Sequence, residues 1–109
     1  MKQYDVCPAA GHGLNVGTGS PASRRYVVVL QHRVLSDLET VVVAPLFPAG
    51  QLPPIRNLRP AISIERRDYL VAIDRLASLP KRQLRAPVAS MDAMDYDLRK
   101  ALDLVFAGF

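Results

Sequence analysis

The stretch Asp92–Phe109, DAMDYDLRKALDLVFAGF, reads as an amphipathic helix that runs almost to the C-terminus. Met94, Leu98, Ala101, Leu102 and Val105 recur at helical spacing and form one apolar stripe, with Arg99, Lys100 and Asp103 off it. Asp92 is placed to act as the N-cap, its carboxylate accepting from the free amides of the first turn. Asp95 and Asp97 put negative charge at the positive end of the helix dipole, and Asp95 with Arg99 makes an i,i+4 pair. Gly108 suits the position just past the helix, where a left-handed conformation ends it. Leu104 and Phe106 fall on the flanks of the stripe, so the last turn is apolar nearly all round. Two compatible readings of that end stay open: aromatic packing at the edge of the core, and an exposed apolar tip that meets a partner.

Upstream, the chain reads as strands. Tyr26–Gln31, YVVVLQ, and Thr40–Leu46, TVVVAPL, are β-branched and continuously apolar, which implies burial on both faces or at a dimer contact. Pro45 is expected at an edge or bulge that ends the second of these strands. Gln3–Val6 reads as a short first strand, and Ala61–Ile64 and Tyr69–Asp74 as a hairpin across the charged turn Glu65–Asp68. Leu76–Leu79 reads as a connector and Gln83–Arg85 as a last short strand. Phe47–Pro60, with four prolines, is a loop. Cys7–Arg25 is a flexible Gly-rich loop; its GHGLNVGTG run lacks the lysine and the strand–loop–helix context of a phosphate-binding loop. Antiparallel strands followed by one helix, with no βαβ rhythm, predict a mainly β (α+β) fold. The expected form is a small antiparallel barrel or curved sheet with one C-terminal α-helix, in a single domain over residues 1–109.

Half of the 109 residues are apolar, which excludes a disordered chain, and no apolar run is long enough to span a membrane. No signal peptide is expected at the N-terminus, and the single Cys7 fits a reducing cytoplasm. The net charge of +4 admits nucleic acid or an acidic protein as partner, but the arginines are scattered and form no long basic run. A small basic β-barrel that binds nucleic acid directly therefore stays as an alternative function. Cys7, His12 and His32 are the only thiol and imidazole groups, and nothing in the sequence pairs them. The aspartates of the last segment read as capping and solvation. No catalytic residue, metal or cofactor is expected, and the chain is read as a binding protein rather than an enzyme.

Four segments, in order, resemble the CcdB family of toxins from type II toxin–antitoxin pairs: YVVVLQHRVL (Tyr26–Leu35), TVVVAPL (Thr40–Leu46), LRPAISIERRDYLVAIDRLASLP (Leu58–Pro80) and DLRKALDLVFAGF (Asp97–Phe109). The resemblance implies an SH3-like antiparallel fold with a C-terminal helix, and a homodimer. Tyr26–Leu30, Val41–Ala44 and the helix stripe are the candidate dimer faces. It implies that the dimer binds between the A subunits of DNA gyrase and traps the enzyme on cleaved DNA. The gyrase-binding residues would be Asp103, Phe106, Ala107, Gly108 and Phe109 at the helix tip, with Val34 and Leu35 beside them. A cognate antitoxin would bind near Glu65, Arg66, Arg67, Asp68 and Tyr69, and operator DNA would be reached only through the toxin–antitoxin complex. One position departs from the pattern: Ala107 stands where the best-known member has Trp, an anchor of a kind that contributes about 2 kcal/mol or more. A non-toxic relative acting only with its antitoxin in operon repression is the alternative within the family.

Overall fold

A computed structural model describes residues 2–10 and 25–108. Most of the Gly-rich loop, with His12, and the terminal Phe109 lie outside the described residues. Seven strands form one antiparallel, nearly closed sheet: β1 (Asp5–Pro8), β2 (Tyr26–Val29), β3 (Thr40–Pro48), β4 (Ala61–Ile64), β5 (Arg67–Val71), β6 (Ala77–Pro80) and β7 (Ala89–Ser90). The helix α1 (Asp95–Ala107) follows. The sheet runs in the order β4-β5-β3-β2-β1-β7, with β6 paired to the first half of β3.

The two valine-rich strands explain their own composition. Val27 and Val29 of β2, with Val41 and Val43 of β3, turn to one face and pack with Cys7, Leu79 and Leu84. Tyr26, Val28 and Leu30, with Ala44 and Leu46, turn to the other and pack with Leu98 and Ala101 of α1. Both faces are buried, so alternation between apolar and polar is absent from these strands. The first cluster is ringed by β1, β2, β3 and β6, and a bridge between Ala9 and Leu84 brings the ring back toward β1. These strands point inward within one chain, so Tyr26–Leu30 and Val41–Ala44 do not supply the dimer face that the sequence suggested.

Five other expectations are corrected. Pro45 does not end its strand: β3 continues to Pro48, pairing first with β6 and then with β5. The Pro45 carbonyl accepts from Ala72 on that side, so its missing N–H falls at the seam between the two partners, where a ladder donor is dispensable. Leu76–Leu79 is no mere connector, because Ala77–Pro80 is strand β6. Gln83–Arg85 is not a strand; Lys81–Gln83 forms a 3-10 turn, and the last strand is Ala89–Ser90. Asp92 does not cap α1: it opens a separate 3-10 turn, Asp92–Met94, whose first N–H donates to Ser90 Oγ at 3.2 Å, and the N-cap position of α1 is Met94, whose side chain makes no capping hydrogen bond. Cys7 and Pro8, assigned to the Gly-rich loop, belong to β1.

Candidate functional site

Helix α1 is half docked and half free. Leu98 and Ala101 are fully buried, and Met94 and Leu102 pack at the margin of the core. The docked half lies on the turn Ile73–Arg75. A clasp fixes it from the other end of the chain: the Tyr4 phenol lies beside Asp95 and Arg99, and Arg99 Nε donates to Asp95 Oδ1 at 3.0 Å. Burial, and then the Asp95 carboxylate, raise the Tyr4 phenol above its ordinary value, while the Tyr4 hydrogen bond holds Asp95 below its own. Tyr4 sits at φ +69, a left-handed conformation rare for a bulky residue.

Beyond Leu102 the helix leaves the core. Asp103 and Ala107 are exposed, and Phe106 is 73% exposed. Gly108 ends the helix at φ +82 and its N–H donates to the Leu104 carbonyl at 3.1 Å. No basic residue lies in the last turn, so the negative end of the dipole is reinforced by Asp103 rather than neutralised. The tip therefore offers a phenyl ring beside a patch of negative potential, which suits a partner carrying a cation.

Val34 and Leu35 form the 3-10 turn Arg33–Leu35 and are 75% and 47% exposed. The turn is held firmly in spite of that. His32 Nδ1 accepts from the Val34 N–H at 3.1 Å. Gln31 Nε2 donates to the Leu35 carbonyl at 3.1 Å, and Gln31 Oε1 accepts from the Val42 N–H at 3.3 Å. The exposed apolar pair thus sits on a turn held by side-chain hydrogen bonds.

The expected turn Glu65–Asp68 and return strand Tyr69–Asp74 are corrected: Arg67 and Asp68 already pair within β5, which ends at Val71, and the two-residue turn Glu65–Arg66 closes the β4–β5 hairpin. Glu65 and Arg66 take φ +50 and +68, the left-handed pair that a tight hairpin turn requires. Ser63 Oγ donates to Asp68 Oδ1 at 3.1 Å. Glu65, Arg66, Arg67 and Asp68 are exposed, but Tyr69 is only 7% exposed and packs edge-on against Tyr26 at 5.5 Å. Its ring supports the turn from beneath. The 33–35 turn precedes the start of β3 and the 65–68 turn lies beside its end at Pro48, so the length of β3, roughly 27 Å, separates them. The structure thus keeps these two turns apart.

Sequence reasoning missed the Tyr4 clasp and a second tie, in which Arg59 Nε and Nη2 grip Asp74 at 3.2 and 3.0 Å while Nη1 donates to the Pro53 carbonyl at 2.8 Å. Both join residues far apart in sequence and leave no local pattern. Cys7 is fully buried and burial raises its thiol, so it is not a nucleophile. Among the described residues, no group of three His, Cys, Asp or Glu side chains is placed to hold a metal ion, and no helix is long and apolar enough to cross a membrane.

Solved structures share this fold. The Mycobacterium tuberculosis toxin MazF-mt6 superposes with a TM-score of 0.71 at 16% identity, over 94% of this chain and 96% of that one. A mycobacterial endoribonuclease solved with its cognate antitoxin gives 0.73 at 12% identity, over 98% and 95%. An Mtb toxin gives 0.62 at 20% identity, over 75% and 92%. The expectation that the chain is not an enzyme is corrected by the second of these: a protein described as an endoribonuclease has this fold along nearly its whole length, so the lack of a recognisable acid–base motif does not exclude catalysis. A search of curated proteins finds no match. The sequence profile described as CcdB protein matches residues 15–108, and the chain therefore belongs to the CcdB family of type II toxin–antitoxin toxins.

Proposed function

We propose that this chain is a toxin that binds the A subunits of DNA gyrase and traps gyrase on cleaved DNA, and that the free end of α1 makes the contact. The observation that carries the reading is the helix itself: a docked first half holds out an undocked apolar end, with Phe106 exposed beside Asp103. Asp103, Phe106, Ala107, Gly108 and Phe109 are the contact residues of this reading, and Val34 and Leu35 add a second apolar contact. The negative potential at the helix end favours a gyrase cation over the Phe106 ring, which offsets the small Ala107. The active unit is a homodimer. A cognate antitoxin covers the Glu65–Asp68 turn, with Tyr69 bracing it, and the pair represses its own operon in the cytoplasm.

The test is DNA cleavage by purified gyrase with ATP. Wild-type protein is expected to accumulate linear, protein-linked DNA, and removal of Gly108 and Phe109 to abolish it without unfolding the protein. Toxicity that survives the truncation overturns the reading. A second reading, cleavage of RNA, is favoured by the fold shared with the endoribonuclease. RNA degradation in the same preparation with gyrase absent separates it from the first.

A further inference from the structure

A cleft of about 170 Å3 opens at the far end of the barrel from the hairpin turn, lined by Gln3, Gln31, His32, Arg33, Ser36 and Lys81 over a floor of Val29 and Val41. Three separate segments build it. Gln3 comes from the N-terminal strand entry and donates through Nε2 to the Leu30 carbonyl at 3.0 Å. The Gln31–Ser36 stretch is the β2–β3 connection, held by the Gln31 amide. Lys81 follows β6, and its backbone N–H donates to the Glu39 carbonyl at 3.0 Å.

The polar atoms of this cleft divide by role. The Nε2 groups of Gln3 and Gln31 donate to backbone carbonyls and Gln31 Oε1 accepts from the Val42 N–H, so these side chains shape the walls. Arg33 and Lys81 make no ion pair among the described residues, and no acidic side chain lines the cleft; Asp37 and Glu39 sit on the same connection outside it. His32 Nδ1 accepts from the Val34 N–H, which leaves Nε2 as the donor of the neutral ring. Arg33, Lys81, His32 and Ser36 thus bring donors to one cleft. Donors without an acidic side chain among them suit an anion.

We propose that this cleft binds a phosphate group, held by Arg33 and Lys81, carried either by a mononucleotide or by a single-stranded nucleic acid. The assignment rests on the cleft alone. It stands independently of gyrase poisoning and of RNA cleavage, since binding needs neither.

The experiment is anisotropy of a short labelled single-stranded oligoribonucleotide with the full chain, across a salt series. Lys81→Ala and Arg33→Ala are each expected to weaken binding about tenfold. Each is also expected to lower the slope of log affinity against log salt by about 0.7. Lys81→Arg, which keeps the charge, retains binding. Arg56→Ala, at an exposed arginine in the loop after β3, changes neither quantity. Displacement by adenosine monophosphate identifies a mononucleotide as sufficient ligand; displacement only by unlabelled RNA identifies the polymer, and either result upholds the cleft. Absence of binding to the wild type, or an equal loss from the Arg56 change, overturns it.

Discussion

Asp74 and Arg59 show how much one unannounced pair carries. Arg59 is 7% exposed in its side chain and holds the proline-rich segment against the turn after β5. Its hydrogen bonds to Asp74 keep that carboxyl below the ordinary 3.8, so the unfolded chain binds the proton more tightly than the folded one. The stabilisation is present above the unfolded value and is lost as the pH falls through the folded one. Asp74→Asn is expected to reduce unfolding free energy by ~1–3 kcal/mol at neutral pH, because it leaves a buried guanidinium half-satisfied. Urea titrations should show the gap between wild type and variant closing on acidification below the normal carboxylate range. A gap that stays constant with pH would show that the carboxylate charge is not what matters. Neither residue could be singled out from the sequence: Arg59 lies in a loop dense with proline, and only the fold brings Asp74 to it.

Helix α1 separates stability from function along a single element. Leu98 lies at the centre of the docked face and Phe106 beyond its edge, two turns later. Leu98→Ala should cost about 2–5 kcal/mol by opening a cavity under the helix. Phe106→Ala should change stability by no more than about 0.5 kcal/mol, yet remove gyrase trapping. Thermal melts set beside the cleavage assay check both halves, and a Phe106 variant that still traps gyrase would move the contact elsewhere. The helix was legible because its apolar residues recur every three to four positions over three turns, and so was the β4–β5 hairpin, marked by ERRD between apolar runs. Strand β6 was not legible. Ala77–Pro80 is four residues long, ends in proline and gains its identity only by pairing with β3. The Asp92 cap failed for a related reason: a 3-10 turn, with no sequence signal of its own, moved the helix start to Asp95. The tip and the two exposed turns could be named from the resemblance, whereas the Lys81 cleft depends on three segments meeting and has no sequence signature.

The chain buries its valine-rich strands within itself, and that changes where a second copy can attach. What remains outside among the described residues is a scattered set of large apolar side chains: Val34, Leu35 and Leu38 on the β2–β3 connection, Ile55 in the loop after β3, Val88 before β7, and Tyr96, Val105 and Phe106 on α1. A domain of 109 residues hides a smaller share of its surface than a large one, so association through such residues would add appreciably to its stability. If the proposed homodimer is the folded unit, unfolding releases two chains and the melting temperature must depend on concentration. For two chains of this length a tenfold dilution should lower it by about 3 °C. Leu38→Ser, at an exposed site that no hydrogen-bonded network depends on, should leave the dilute melting temperature unchanged and flatten that dependence if the connection is the interface. A melting temperature independent of concentration, together with the mass of a single chain in sedimentation equilibrium, would remove the dimer. The helix tip would then have to engage gyrase as a single copy, without the symmetric pairing that a two-fold target offers.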